Sequence, residues 1–234
     1  MVDKKDIKAW YNQKHRSEGV DTWRPLEAYP IFLDHLNIKS GKKLLDIGCG
    51  TGHLLKAAAG KELQTYGIDI SARGVEIARE VSPSSQIMLG KAENLPFPDH
   101  FFDYVVCLGA LEHFMDLRKG LKEMIRVGNQ NASFCILVPN KSYLYWRLKG
   151  SQGTKQQQIN EHLLSLDEWK KLFDSEGLEI STIYQDSWPA KRTKVFSSAN
   201  PLGMLKRLVY KLGYNVLPLR YTYQFIFILK KQFS

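Results

Sequence analysis

At 234 residues and 44% hydrophobic content, the chain has the size and composition of a single globular α/β domain, elaborated or not. No apolar run approaches the roughly 20 residues a membrane-spanning helix needs, and the start, Met1-Val2-Asp3-Lys4-Lys5-Asp6, lacks the apolar stretch of a signal peptide. Three cysteines without metal or disulfide spacing point to a reduced, cytoplasmic setting and to no metal site.

Residues 3–18 read as a helix capped by Asp3, with Ile7, Trp10 and Tyr11 on one side. Pro25 to Leu36 reads as a helix interrupted at Pro30, and Ser40-Gly41-Lys42 as the turn into a first strand, Lys43–Ile47. The loop Gly48-Cys49-Gly50-Thr51-Gly52 follows, with glycines at alternate positions and Asp46 two residues before the first. Such a loop lets backbone approach a nucleotide-like ligand closely, since no Cβ stands in the way. A helix over Leu54–Ala59 ends at Gly60, and Thr65–Ile70 is the second strand. Asp69 lies 21 residues after Gly48, the spacing at which a carboxylate meets the ribose hydroxyls of a bound nucleoside.

Ser71 caps a helix through Glu80, and Gln86–Leu89 is the third strand. Phe102–Leu108 is a continuous apolar run, as expected of a strand buried on both faces. Asp116 to Val127 is amphipathic, with Leu117, Leu121, Met124 and Ile125 as its buried stripe, and Phe134–Val138 is the fifth strand. Pro139 to Asn160, aromatic then polar, has the composition of a loop over a site's mouth. Ser165 to Glu176 carries a capping box, Ser165 with Glu168, and Gly177 closes it before a sixth strand, Leu178–Tyr184. Tyr221–Lys230 alternates and reads as the last strand. Alternating strands and helices predict a mostly parallel sheet with right-handed crossovers, its ligand at the carboxyl ends of strands 1 and 4.

Asp46-x-Gly48-x-Gly50-x-Gly52 resembles motif I of the class I S-adenosylmethionine-dependent methyltransferases. The nicotinamide fingerprint would need a glycine where His53 stands. Gly90–Cys107 and Leu108-Gly109-Ala110-Leu111-Glu112-His113-Phe114 are similar to the corresponding stretches of the small-molecule, methyltransferase-11-like group, and the resemblance runs over residues 40–185. It implies an α/β, Rossmann-like, seven-stranded, mostly parallel sheet with helices on both faces and an antiparallel last strand. The expected division is a helical cap (1–39), a cofactor-binding core (40–186), a basic helical insertion (187–220) and a last strand (221–234).

The resemblance implies S-adenosyl-L-methionine as cofactor. Asp46 and the loop Gly48, Gly50 and Gly52 would shape its methionine end, Asp69 the ribose, and Ile70, Ala92 and Glu93 the adenine. The Leu108 backbone would close the site, and Tyr11 or Trp10 would lie over the sulfonium. Methyl transfer is an in-line displacement in which orientation contributes most, and a base is needed only when the nucleophile arrives protonated. His113, on the lip after strand 4, and His162, beside Glu161, are the candidate bases, although each has a bland alternative as a backbone-bonded or surface histidine.

All 24 acids precede Ser187, whereas nine of the 33 Lys and Arg follow it, which accounts for the net charge of +9. Within this tail a helix opens at Asn200-Pro201 and should close at Gly213, with Leu202, Leu205, Val209 and Leu212 on one side and Lys206, Arg207 and Lys211 on the other. It is either a solvated face, a basic roof favouring an anionic acceptor, or a contact with an anionic membrane or carrier. The absence of an Asn/Asp-Pro-Pro-aromatic motif at 108–111 disfavours nucleic-acid bases as acceptors. The expected activity is therefore methyl transfer to O or N of a small molecule, an anionic sugar, lipid precursor or natural-product intermediate included, by a monomer or homodimer. The alternatives are a cofactor-binding partner subunit without catalysis, and a nicotinamide oxidoreductase.

Overall fold

The computed structural model describes residues 4–20, 23–150, 153, 160–192 and 201–232. Seven strands form one sheet: β1 (Lys43–Ile47), β2 (Gln64–Asp69), β3 (Gln86–Leu89), β4 (Phe102–Leu108), β5 (Gly128–Pro139), β6 (Leu178–Gln185) and β7 (Gln224–Lys231), in the order β3-β2-β1-β4-β5-β7-β6. Strands β1 to β5 pair in parallel, and β7 slots antiparallel between β5 and β6. The expected fold class is the one observed.

The helices are α1 (Lys4–Glu18), α2 (Pro30–His35), α3 (His53–Ala59), α4 (Ala72–Val81), α5 (Leu117–Val127), α6 (Leu144–Lys149), α7 (Leu166–Ser175), α8 (Trp188–Arg192) and α9 (Pro201–Val216). Strand side chains alternate between faces, so each face of the sheet has its own core. Leu45, Ile47, Phe134, Ile136 and Val138 pack with residues of α5 and α7. Leu44, Cys135 and Leu137 pack with those of α2, α3 and α4. Trp169 on α7 is fully buried and donates its indole N–H to the Pro139 carbonyl at 3.1 Å, so it fills the first core without an orphaned donor. All three cysteines are buried free thiols. Among the described residues no helix is long and apolar enough to cross a membrane.

Four local expectations shift. Pro30 opens α2 rather than interrupting a helix, because its fixed φ and missing N–H suit the first helical position. Strand β5 begins at Gly128, six residues early, through an irregular pairing beside Phe102 and Tyr104 that the polar sequence Asn129–Asn131 does not announce. Residues 144–149 of the expected loop form α6, held by Tyr143 and Trp146 against Tyr223 with ring centroids 5.2 and 5.7 Å away. Gly213 does not end α9. The next residue, Tyr214, is buried and donates its hydroxyl to the Asp186 carbonyl at 3.0 Å, and this tertiary anchor outweighs a helix penalty of about 1 kcal/mol for glycine.

Candidate active site

The sheet order reverses between β1 and β4, so the loops after these strands diverge and leave a crevice at their carboxyl ends. A cavity of about 550 Å³ occupies it. Its floor is the loop after β1. Gly48 has φ +73°, and a Cβ there would stand 2.5 Å from the Ala110 Cβ, so both backbone conformation and close approach require glycine. The loop is fixed from β2: the Gly50 N–H donates to Asp69 Oδ2 and the Ser71 N–H to Asp69 Oδ1, each at 2.8 Å. Burial raises the Asp69 carboxyl above its ordinary range, opposed by those two N–H groups and by His15. Burial, with the Asp69 charge nearby, pushes Asp46 up to about 8.

One wall is α1. Asn12 Oδ1 accepts from the Ser71 hydroxyl at 2.8 Å and from the Arg73 N–H at 3.1 Å, while Ser71 Oγ accepts from the Gly74 N–H. The N-cap of α4 is thereby also the anchor of α1. This places Trp10, Tyr11 and His15 on the cavity, where their rings meet Trp23 at centroid distances of 6.3–6.4 Å. Arg24 then pins the segment behind Trp23. Its Nη1 and Nη2 donate to Asp186 Oδ1 and Oδ2 at 3.1 and 2.6 Å, and Nη2 also to Gln224 Oε1 at 2.9 Å.

The opposite wall is the 3₁₀ turn Leu111–His113 after β4. His113 Nδ1 lies 2.5 Å from the Asn160 carbonyl, and the Tyr11 ring stands 6.2 Å from the imidazole. Glu112 is 3% exposed, and burial pushes its carboxyl up to about 7 against the opposing influence of His113. Among the described residues, two polar atoms of the cavity lining, Glu112 Oε2 in this turn and Trp188 Nε1 on α8, are buried without a hydrogen-bond partner. A buried acceptor left unmade costs about 1–3 kcal/mol. An orphan acceptor and an orphan donor lining one cavity mark where a polar ligand would bind.

The family described as "Methyltransferase domain" matches residues 45–136, the segment that runs from β1 through the glycine loop, Asp69 and Glu112 into β5. The uncharacterized methyltransferase YcgJ of Bacillus subtilis is 27% identical over 217 residues, 81% of this chain and 80% of that protein. Residues 45–136 carry the methyltransferase domain of a class I S-adenosylmethionine-dependent enzyme. A demethylmenaquinone methyltransferase of Staphylococcus epidermidis is 38% identical over 111 residues, but this covers 43% of this methyltransferase and only 46% of the relative. Among solved structures, a chain of the Haloferax volcanii complex between the Trm112 methyltransferase activator and a methyltransferase superposes with a TM-score of 0.72 at 19% identity, covering 97% of this chain and 98% of that one. The cofactor of the methyltransferase is S-adenosylmethionine, and the nicotinamide alternative falls: His53 opens α3 where that fingerprint needs glycine.

Tyr11, Asp46, Gly48, Gly50, Asp69, Ile70, Ala92, Glu93, Leu108 and His113, all expected at the site, line the one cavity. Glu93 is also held across it, accepting from the Met115 N–H at 2.9 Å. Gly52 and His162 do not reach the wall. Gly52, with φ +82°, caps α3 and lies where a Cβ would meet Ala78 at 3.0 Å, so it serves helix packing. His162 sits behind the turn: its N–H donates to the Glu112 carbonyl at 2.8 Å, and its Nε2 is 3.1 Å from the Phe114 carbonyl. No described residue of α9 lines the cavity. Of the loop expected to grip an acceptor, residues 151, 152 and 154–159 lie outside the described residues. Glu112, Arg24, Trp188 and Tyr223 are wall residues that sequence reasoning missed. Glu112 alone carried a signal, as the single acid in the apolar run 108–114.

Proposed function

We propose that this methyltransferase methylates a hydroxyl oxygen or an amine nitrogen of a small molecule that hydrogen-bonds to Glu112. The observation that carries this reading is the buried, unpartnered Glu112 Oε2 in the same cavity as the glycine loop and Asp69. The cavity, about 550 Å³, falls in the range of roughly 300–1,000 Å³ usual for small-molecule sites.

The residues fit the cofactor. Gly48 and Gly50 offer bare backbone at the end of β1, and Asp69 presents a carboxylate at the end of β2. In this reading Asp46 and the loop hold the methionine end, Asp69 the ribose, Ile70, Ala92 and Glu93 the adenine, and Leu108 the remaining side. When bound, S-adenosylmethionine supplies an electrophilic methyl group on a positively charged sulfur. The chain does the rest. Tyr11, Trp10 and Trp23 exclude water, Trp188 Nε1 and Tyr223 orient the acceptor, and Glu112 Oε2 takes the proton that the oxygen or nitrogen gives up. A carboxyl with its pKa near 7 suits that role at neutral pH.

The same wall argues against a phosphate or carboxylate at the reacting end. An ionised Glu112 would repel it, and the Arg24 guanidinium is already matched by Asp186. A neutral or protonated nucleophile fits better. The test is a transfer assay with labelled S-adenosylmethionine against hydroxyl- and amine-bearing small molecules, comparing wild type with Glu112→Gln. Turnover that collapses in the variant while cofactor binding persists supports the reading. Equal turnover in both removes Glu112 as base, and cofactor binding without transfer to any acceptor favours a partner subunit without catalysis.

A further inference from the structure

We propose that α9 is a docking helix for an anionic lipid surface, a role separate from the chemistry of the cavity. Among the described residues, the helix is anchored to the sheet through Tyr214. Tyr214, 1% exposed, donates to the Asp186 carbonyl, and the Gln185 side-chain amide donates to the Tyr214 carbonyl at 2.7 Å. The opposite side is apolar and uncovered: Leu205 is 57%, Leu208 41%, Leu212 62% and Val216 81% exposed. With about 100° per residue, Leu205, Leu212 and Val216 fall within roughly 40° of one another, Leu208 borders them, and Tyr214 lies on the far side. A soluble surface scatters single apolar residues, but a row of four along three turns of one helix is a contact surface.

Charge selects the occupant. From Ser187 to Ser234 there are nine Lys and Arg and no Asp or Glu, while the rest of the chain is balanced. An acid-free, basic segment carrying an exposed apolar stripe matches the negative potential and shallow apolar layer of an anionic bilayer, in which such a helix lies parallel to the surface. A second copy of this chain fits less well, because apposing two α9 faces brings two such basic segments together. Position adds a consequence. Helix α9 packs against α8, and α8 begins with Trp188, a wall residue of the cavity. Docking through α9 therefore brings the acceptor side of the cavity beside the lipid, where an amphiphilic acceptor would be concentrated.

The test is co-sedimentation of the full chain with vesicles of phosphatidylcholine alone and of phosphatidylcholine mixed with phosphatidylglycerol, alongside the double variant Leu205→Asp/Leu212→Asp and the single variant Lys211→Glu. The leucines are exposed, and an unchanged circular-dichroism melt verifies that the double variant folds. Expected are binding to the anionic vesicles only, loss of it in the double variant, and weakening by at least about fivefold in Lys211→Glu, since each basic residue near the surface contributes about that factor. Absence of binding by the wild type overturns the proposal, as does binding that the leucine variant leaves unchanged. Sedimentation velocity provides the remaining arm: a wild-type dimer that the same leucine substitutions dissociate assigns the stripe to a second copy and also overturns it.

Discussion

The two halves of the cavity differ in how completely their polar groups are satisfied. On the β1–β2 side both oxygens of Asp69 accept backbone N–H groups, and the Ser71 hydroxyl both accepts and donates. On the side of β4 and α8, Glu112 Oε2 and Trp188 Nε1 have no partner among the described residues. The first half is preorganised by its own backbone, which suits the cofactor role proposed for it. The second half leaves its hydrogen bonds to be completed by a ligand, which is where acceptor specificity can reside.

Removal of the Glu112 carboxylate should have the largest effect. Glu112→Gln is expected to lower kcat by about 10²–10⁴, the usual contribution of a general base, with little change in cofactor affinity by calorimetry. In the wild type kcat/KM should rise with pH through about 7, the value to which burial pushes Glu112, and that rise should vanish in the variant. An equal loss of cofactor binding would mean that the two halves are not separable.

Next in size is Arg24→Ala. It strands Asp186, 1% exposed, without its bidentate partner, and such a buried orphan charge costs about 3–5 kcal/mol, readable as a drop in Tm and in urea midpoint. Asp69→Ala tests the other half. With a charged acceptor lost from two ribose hydroxyls at about 1.5–3 kcal/mol each, calorimetry should show S-adenosylmethionine affinity down at least about a hundredfold. Asn12→Ala removes two bonds between α1 and the start of α4 and should cost about 1–2 kcal/mol, with faster hydrogen exchange in α1 as its specific sign.

Stability should depend on pH through a buried carboxyl in each half of the cavity. Asp46 and Glu112 have folded-state pKa values raised above their unfolded ones, to about 8 and about 7, so the folded protein holds protons the unfolded chain releases. Their contribution is full below the unfolded pKa, near pH 4, and is lost as pH rises through those values. The ligand-free Tm should fall between about pH 4 and pH 8, and Glu112→Gln should regain about 1–3 kcal/mol at pH 8. A Tm that rises over this window would contradict the assignment of both carboxyls as buried acids.

Much of the fold was legible because its signals are local and periodic. Apolar runs bounded by glycine or a capping residue located six of the seven strands to within about three residues, and Ser71, Asp116 and Ser165 cap helices through their side chains as their positions suggest. The early start of β5 was not legible, because a polar stretch pairs there through an irregular register. The site divides along the same line. Asp46, the glycine loop and Asp69 stand at chain spacings imposed by one strand–helix–strand unit. Glu112 and Trp188 come from chain segments over seventy residues apart, and no spacing rule links them.

Residue order along the chain was enough to place the β1–β2 half of the cavity: strand, glycine loop, helix and carboxylate follow from backbone geometry over about thirty residues. The opposite half of the cavity and the course of α9 depended on long-range packing. Burial turned Glu112 from one acid in an apolar run into a carboxyl with its pKa near 7, with one oxygen 3.9 Å from His113 Nε2 and the other without a partner among the described residues. The anchor of Tyr214 on the end of β6 carried α9 past Gly213 and left Leu205, Leu208 and Leu212 exposed. Desolvation and long-range packing depend on which segments meet, and that information lies in contacts rather than in the order of residues along the chain.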